Sequence, residues 1–100
     1  MKNPILGKHS HNNRESREGQ ALRFIREALK LSQKDVALKL NIKSLEVDHF
    51  ENGRKFYSVE DIGKFLVCYD VDRDFFNNLL NQKKISKLMV NHLMVNKTIL

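Results

Sequence analysis

Residues 31–55 constrain the fold of this chain more than any other stretch, because they predict two short helices with only three residues between them. Apolar residues recur at helical spacing on both sides of the break and predict one helix over 33–40 and another over 44–51. A connection of that length forces a sharp angle between the helices, which is the helix-turn-helix arrangement. Neither helix is long enough to persist alone in water, so both have to pack on a shared core.

Local signals mark the ends of both helices. Ser32 can cap the first helix, and Asp35 places a carboxylate beside the unpaired amides and the positive end of the helix dipole. Asn41 can adopt the left-handed backbone conformation that ends a helix, and Gly53 provides the stop after the second helix. These signals support the two-helix prediction independently of the apolar pattern.

The surrounding sequence predicts an all-α fold of five helices. A first helix is expected over 16–30, a fourth over 59–69 after a Ser58 cap, and a fifth over 73–80 after an Asp72 cap. The residues expected to face the core are Leu22, Ile25, Leu29, Val36, Ala37, Leu40, Val47, Phe50, Val59, Ile62, Leu66, Leu79 and either Phe75 or Phe76, with Tyr69 as a further candidate.

The C-terminal segment, residues 81–100, is too apolar for a solvated tail. Its spacing favours a helix over a strand, and an apolar surface of this kind has to be covered. It can pack on its own domain or, as we expect, join two copies in a homodimer. The fifth helix is the other candidate dimer surface.

The length of the chain bounds it to a single domain. The pattern divides it into a flexible polar arm over 1–15, a helical domain over 16–80 and the segment 81–100. No apolar run approaches the ~18 residues of a membrane span, and the N-terminus lacks the long apolar core of a signal peptide. Cys68 is the single cysteine, which favours a cytoplasmic location and a buried structural thiol.

Catalytic and metal-binding motifs are missing from the sequence. It contains no glycine-rich phosphate loop, nucleophile elbow or paired-carboxylate pocket. His9 and His11 are close together but lack a partner cysteine or acid, so they make a poor metal site. We therefore expect a binding protein with no enzyme activity, no cofactor and no metal.

Residues 19–80 resemble the helix-turn-helix domain of phage repressors, the Cro/cI or XRE family, in an ordered set of short motifs. The set comprises Leu22-x-x-Ile25-Arg26, Leu31-Ser32-Gln33, Val36-Ala37-x-x-Leu40, Phe50-Glu51-Asn52-Gly53-Arg54-Lys55, Ser58-Val59-Glu60-Asp61-Ile62 and Tyr69-Asp70-Val71-Asp72. The resemblance implies a five-helix, lambda-repressor-like domain of a transcriptional regulator that binds double-stranded DNA. Helix 44–51 would then enter the major groove.

The same resemblance implies which residues contact DNA. Ser44, Leu45 and His49 would reach base edges, where a hydroxyl, an apolar side chain and an imidazole offer different chemistry. Gln33 would contact a phosphate or a base edge, with an ordinary solvated glutamine as the alternative. The full set of implied DNA-binding residues is Gln33, Lys43, Ser44, Leu45, Asp48, His49, Asn52, Arg54 and Lys55.

Arg26 and Glu51 are implied to form a structural ion pair that fixes the third helix against the first. Removing one partner of a well-buried pair would cost about 3–5 kcal/mol. The alternative is a surface salt bridge, which would contribute under about 1 kcal/mol.

The net charge of +6 is distributed unevenly along the chain. Residues 19–55 hold eight cations and five acids, whereas residues 56–80 hold two cations and five acids. Residues 81–100 add four lysines and no acid. The helix-turn-helix side is therefore the positive side, which is the polarity that a phosphate-facing surface requires.

Two acids in the predicted recognition helix argue against DNA binding. Glu46 and Asp48 place negative charge near the groove, and the position of Glu46 is more often small and polar in the family. Lys43 replaces the usual small hydroxyl cap, so Ser44 is an alternative cap. These departures are expected of an alternative function, a protein-interaction adaptor or antitoxin-type partner with weak DNA readout.

Overall fold

Every regular element in the described part of the chain is an α-helix. The computed structural model describes residues 14–99, with side chains described for 17–96. The helices are α1 (Arg14–Ala28), α2 (Gln33–Leu40), α3 (Ser44–Glu51), α4 (Val59–Tyr69), α5 (Arg73–Leu80) and α6 (Lys87–Ile99). The predicted all-α class is confirmed for these residues, and α2 to α5 have the predicted bounds.

The first helix is shifted toward the N-terminus relative to its predicted span of 16–30. Lys30 has a φ of 63°, and this left-handed conformation ends the helix earlier than the apolar pattern indicates. The polar arm predicted over 1–15 overlaps with α1, which covers its last two residues. The rest of that arm, with His9 and His11, lies outside the described residues.

Side-chain caps set the starts of α2 and α4. The Ser32 hydroxyl accepts a hydrogen bond from the Asp35 N–H, and the Asp35 carboxylate accepts one from the Ser32 N–H, both at 2.9 Å. Ser58 and Asp61 form the same reciprocal pair at 3.0 Å in each direction. Each pair satisfies two backbone amides that a helix start would otherwise leave unpaired, so these starts are encoded locally.

The core lies around α1, which packs against α3, α4, α5 and α6, while α2 packs on α3 and α4. Most of the residues expected to face the core are buried, and Leu29 and Leu40 are half-buried. The expectation that Val59 faces the core is wrong, because its side chain is 75% exposed at the first position of α4. Phe76 is buried, whereas Phe75 is half-buried.

The C-terminal helix packs against α1 of its own chain. Val90 and Met94 on its inner face are buried, and Lys87 pairs with Glu27 of α1 at 3.4 Å. The inner face of α6 is therefore covered by its own domain, which is one of the two alternatives that the sequence left open. The outer face still exposes Leu88.

A glycine in α1 allows a very close approach between two helices of this core. A Cβ atom at Gly19 would lie 2.5 Å from the carbonyl oxygen of Glu51 and 2.7 Å from that of Phe50. Both oxygens belong to the backbone of α3, so they cannot move aside without displacing the helix. Gly19 therefore lets the end of α3 rest directly on α1.

Gly19→Ala is expected to destabilise the fold by about 1–3 kcal/mol, because the added methyl group would force α1 and α3 apart. Gly63→Ala is the matched control, since its Cβ would meet only the flexible end of Arg73, 3.4 Å away. That variant should be stabilised by up to about 1 kcal/mol through helix propensity. Urea unfolding measures both changes, and an equal effect of the two substitutions would contradict the close approach.

Candidate nucleic-acid interface

The outer surface of α3 presents three of the implied DNA-contacting residues. Ser44 and Leu45 are exposed in the first turn, Leu45 by 61%, and His49 is half-buried one turn later. Lys43 precedes the helix and Arg54 follows it, and both are exposed. The structure therefore places a hydroxyl, an apolar side chain and an imidazole on one helix, between two cations.

A buried ion pair holds the end of α3 against α1. Arg26 Nε donates to Glu51 Oε2 at 2.7 Å, and Arg26 Nη2 donates to Glu51 Oε1 at 3.0 Å. Only 9% of the arginine side chain and 3% of the glutamate side chain are exposed. Arg26 Nη1 also donates to the Leu31 carbonyl at 2.7 Å. The two parallel bonds fix the orientation of the pair, and the third ties the start of the helix-turn-helix segment to it.

Gln33 joins α2 to this ion pair. Its amide nitrogen donates to Glu51 Oε1 at 3.1 Å and to Asp48 Oδ1 at 3.2 Å. The amide nitrogen of Asn52 donates to Asp48 Oδ2 at 3.2 Å. We call Arg26, Gln33, Asp48, Glu51 and Asn52 the polar network. Because Gln33 is half-buried and bonded to α3, the ordinary solvated glutamine considered for this position does not describe it.

Glu46 is engaged by two partners from its own chain. Its Oε1 accepts from the backbone N–H of Lys43 at 3.1 Å, and its Oε2 lies 3.0 Å from Lys55 Nζ. The hydrogen bond from Lys55 and the one from the Lys43 amide lower the pKa of this carboxyl. Lys43 occupies the N-cap position of α3, so the alternative of a Ser44 cap is wrong.

All three acids of α3 have partners within the protein. Glu51 pairs with Arg26, Glu46 pairs with Lys55, and Asp48 accepts from two amide groups. Their carboxylate oxygens are therefore already bonded before any ligand approaches. The most exposed residues of the helix are Ser44 and Leu45, which carry no charge.

Some residues that shape this surface were missed by the sequence prediction. Gly19 lies on the same α1 stripe as Leu22 and Arg26, at spacings of three and seven, and a glycine on a buried stripe could have suggested a close helix contact. Tyr57, in the loop before α4, stacks on Phe50 of α3 with 4.6 Å between the ring centroids. No local sequence pattern predicts that an aromatic side chain in a loop will pack against a helix.

Comparisons with protein-family models, with curated proteins and with solved structures found no match to this chain. Within the residues that the structure describes, no group of three or more His, Cys, Asp or Glu side chains could hold a metal ion. No helix in that same part is both long and apolar enough to cross a membrane.

Glu51→Gln is expected to destabilise the fold by about 3–5 kcal/mol, because it leaves the buried Arg26 guanidinium with only the more distant and more exposed Glu27 carboxylate, 3.9 Å away, as a countercharge. Lys87→Gln is the matched control, since it breaks an exposed pair with Glu27 that should contribute under about 1 kcal/mol. Urea unfolding compares the two variants. Equally small losses would contradict a structural role for the Arg26–Glu51 pair.

The pKa of Glu46 should lie below the ordinary glutamate value, and Lys55→Gln should raise it, because this variant removes the largest cause of the shift. Because the pKa of Glu46 is lower in the folded state than in the unfolded state, its contacts stabilise the fold at pH values above the unfolded-state pKa. That stabilisation is lost as the pH falls through the lowered folded-state pKa. NMR titration of the Glu46 carboxyl checks this, with Lys64→Gln as the control for a lost positive charge. An equal response to both lysine substitutions would argue against the Lys55 contact.

Proposed function

We propose that this protein is a small transcriptional regulator that binds double-stranded DNA with sequence preference and places α3 in the major groove. Helices α1 to α5 would form a lambda-repressor-like domain of the phage-repressor (Cro/cI, XRE) type, with α6 as an addition. One observation carries the proposal: α3 has an exposed outer surface while the polar network holds its inner side. Base readout requires side chains on a rigid element, and the network supplies that rigidity.

The proposal gives the implied DNA-binding residues two kinds of role. Ser44, Leu45 and His49 meet base edges, and the flanking cations Lys43 and Arg54 meet phosphates. The remaining implied residues, Gln33, Asp48, Asn52 and Lys55, act first through contacts within the chain. The net positive charge of residues 19–55 supports the phosphate contacts.

The contacts that Glu46 and Asp48 make within the protein weaken the main objection to DNA binding, which is the negative charge of these two residues near the groove. Glu46 is bonded to a lysine and to a backbone amide, and Asp48 is bonded to two side-chain amides. A carboxylate that already has donors presents less negative charge to a neighbouring phosphate than one without a partner. The acids are then compatible with an approach of α3 to the major groove.

The proposed regulator acts as a homodimer, because a two-fold protein matches a two-fold operator. The outer side of α6 supports this part of the proposal. Leu88 is 80% exposed there, and it lines a shallow groove together with Met89 and His92. An apolar surface of this kind gains stability when a second copy covers it. The other candidate dimer surface is α5.

A protein-interaction adaptor or antitoxin-type partner on the same fold is the second candidate function. The observation that favours it is the exposure of large apolar side chains away from α3: Leu38 on α2, Phe56 before α4 and Val67 on α4. Exposed apolar side chains of this size are typical of protein contact sites when they form a patch. This candidate predicts weak DNA binding that does not depend on the outer surface of α3.

Selection from a random-sequence duplex library should enrich a palindrome, and binding should weaken steeply with added salt as phosphate contacts release counterions. His49→Ala is expected to cost about 1–3 kcal/mol of affinity for the selected site. Ser44→Ala should cost less, because a hydroxyl discriminates poorly between bases. Fluorescence anisotropy at two salt concentrations measures both effects.

Gln20→Ala, at an exposed polar residue of α1, is the matched control and should leave the affinity unchanged. If binding is weak and neither the Ser44 nor the His49 substitution alters it, the outer surface of α3 does not read DNA. That result would favour the adaptor function.

A further inference from the structure

We propose that Glu46 is an autoinhibitory competitor of DNA: its carboxylate binds Lys55 and the start of α3 as a DNA phosphate would, which lowers the affinity for any duplex. The inference rests on the proposed function. It concerns the strength of binding and not the base sequence that is bound. Glu46 therefore acts on DNA binding by competing for Lys55, and it does not read bases.

The Glu46 carboxylate receives the two kinds of donor that hold phosphates in protein–DNA interfaces. Its Oε2 lies 3.0 Å from the ammonium nitrogen of Lys55, and its Oε1 accepts from the Lys43 backbone N–H at 3.1 Å. Protein–DNA complexes use cationic side chains and amides at helix N-termini for phosphate contacts. A phosphate that approaches the start of α3 must therefore displace a carboxylate that is already bonded to both groups.

The chain after α3 turns Lys55 back toward Glu46. The backbone N–H groups of Arg54 and Lys55 both donate to the His49 carbonyl, at 2.9 and 3.2 Å. The Lys55 ammonium also lies 5.0 Å from the centre of the Phe50 ring. The backbone and the ring hold Lys55 independently of Glu46. Removing the carboxylate charge should therefore leave Lys55 in place with an ammonium group available to a phosphate.

The Glu46–Lys55 pair is weak enough for DNA to displace it. The two side chains are 36% and 45% exposed. An exposed pair of this type changes an equilibrium by about fivefold or less. A full set of phosphate contacts changes DNA affinity by orders of magnitude. The pair therefore weakens binding without preventing it.

Arg54 provides a comparison within the same turn. It is exposed and follows α3 as Lys55 does, yet it makes no ion pair with an acid of the described residues. If both cations were equally available, their removal would weaken DNA binding equally. Because Glu46 pairs with Lys55 and not with Arg54, we expect Arg54 to contribute more than Lys55 to binding in the wild-type protein.

The test is a double-mutant cycle on random-sequence duplex DNA, measured by fluorescence anisotropy at several salt concentrations. Glu46→Gln removes the charge but keeps an oxygen that can accept from the Lys43 N–H. It should bind about threefold to fivefold more tightly at low salt, with a salt slope steeper by about one unit. Lys55→Gln should weaken binding less in the wild-type background than in the Glu46→Gln background, where it should remove the whole gain.

Two further variants control for charge and for position. Glu60→Gln removes an exposed acid of α4 and should leave the affinity unchanged. Arg54→Gln should weaken binding and reduce the salt slope by about one unit. Circular dichroism melting establishes that each variant is folded. The comparison of Lys55→Gln with Arg54→Gln, both exposed and outside the helices, still tests the inference if Glu46→Gln does not fold.

Two outcomes would overturn the inference while leaving the proposed function in place. A gain in Glu46→Gln that persists in the double variant would come from a general loss of negative charge. A changed sequence preference with unchanged affinity for random duplex would mean that Glu46 reads a base. A lack of duplex binding by the wild type and by every variant would instead overturn the proposed function, and this inference with it.

Discussion

Where α1, α2 and α3 meet, a buried guanidinium and a buried carboxylate are joined by two parallel hydrogen bonds, and the placement of all three helices depends on them. Arg26 also reaches the Leu31 carbonyl, and Glu51 also accepts from Gln33. Gly19 lets the end of α3 come close enough to α1 for this contact. Since a buried charge stabilises the fold only when its partner is present, the three helices are positioned together.

The position of α3 in turn decides how its other acids behave. Asp48 faces the inner side of α3, where Gln33 and Asn52 donate to its carboxylate. Glu46 instead binds Lys55, which follows the end of the helix. The same chemical group, a carboxylate, therefore has two different effects on one helix. One carboxylate helps to hold the helix, and the other, in our proposal, competes with DNA for a cation.

Most of the fold could be predicted because its signals are local. The reciprocal bonds of Ser32 with Asp35 and of Ser58 with Asp61 join residues three apart, so the starts of α2 and α4 follow from short motifs. The end of α1 could not be predicted in this way, because Lys30 has no intrinsic preference for the left-handed conformation it adopts. Likewise, the apolar pattern could not show that Val59, at the first position of α4, is exposed.

The sequence by itself determined the all-α class, the order and bounds of α2 to α5, and the presence of Ser44, Leu45 and His49 on the outer surface of α3. It also predicted Asp48 on that surface, and this was wrong, because Gln33 of α2 and Asn52 bind its carboxylate. Only the tertiary structure decided the partners: Gly19 under the end of α3, Gln33 with Asp48, and Glu46 with Lys55. The physical reason is the distance along the chain over which each kind of interaction acts. Caps and apolar periodicity act over a few residues, whereas the choice of a hydrogen-bond or ion-pair partner depends on how separate helices pack against each other.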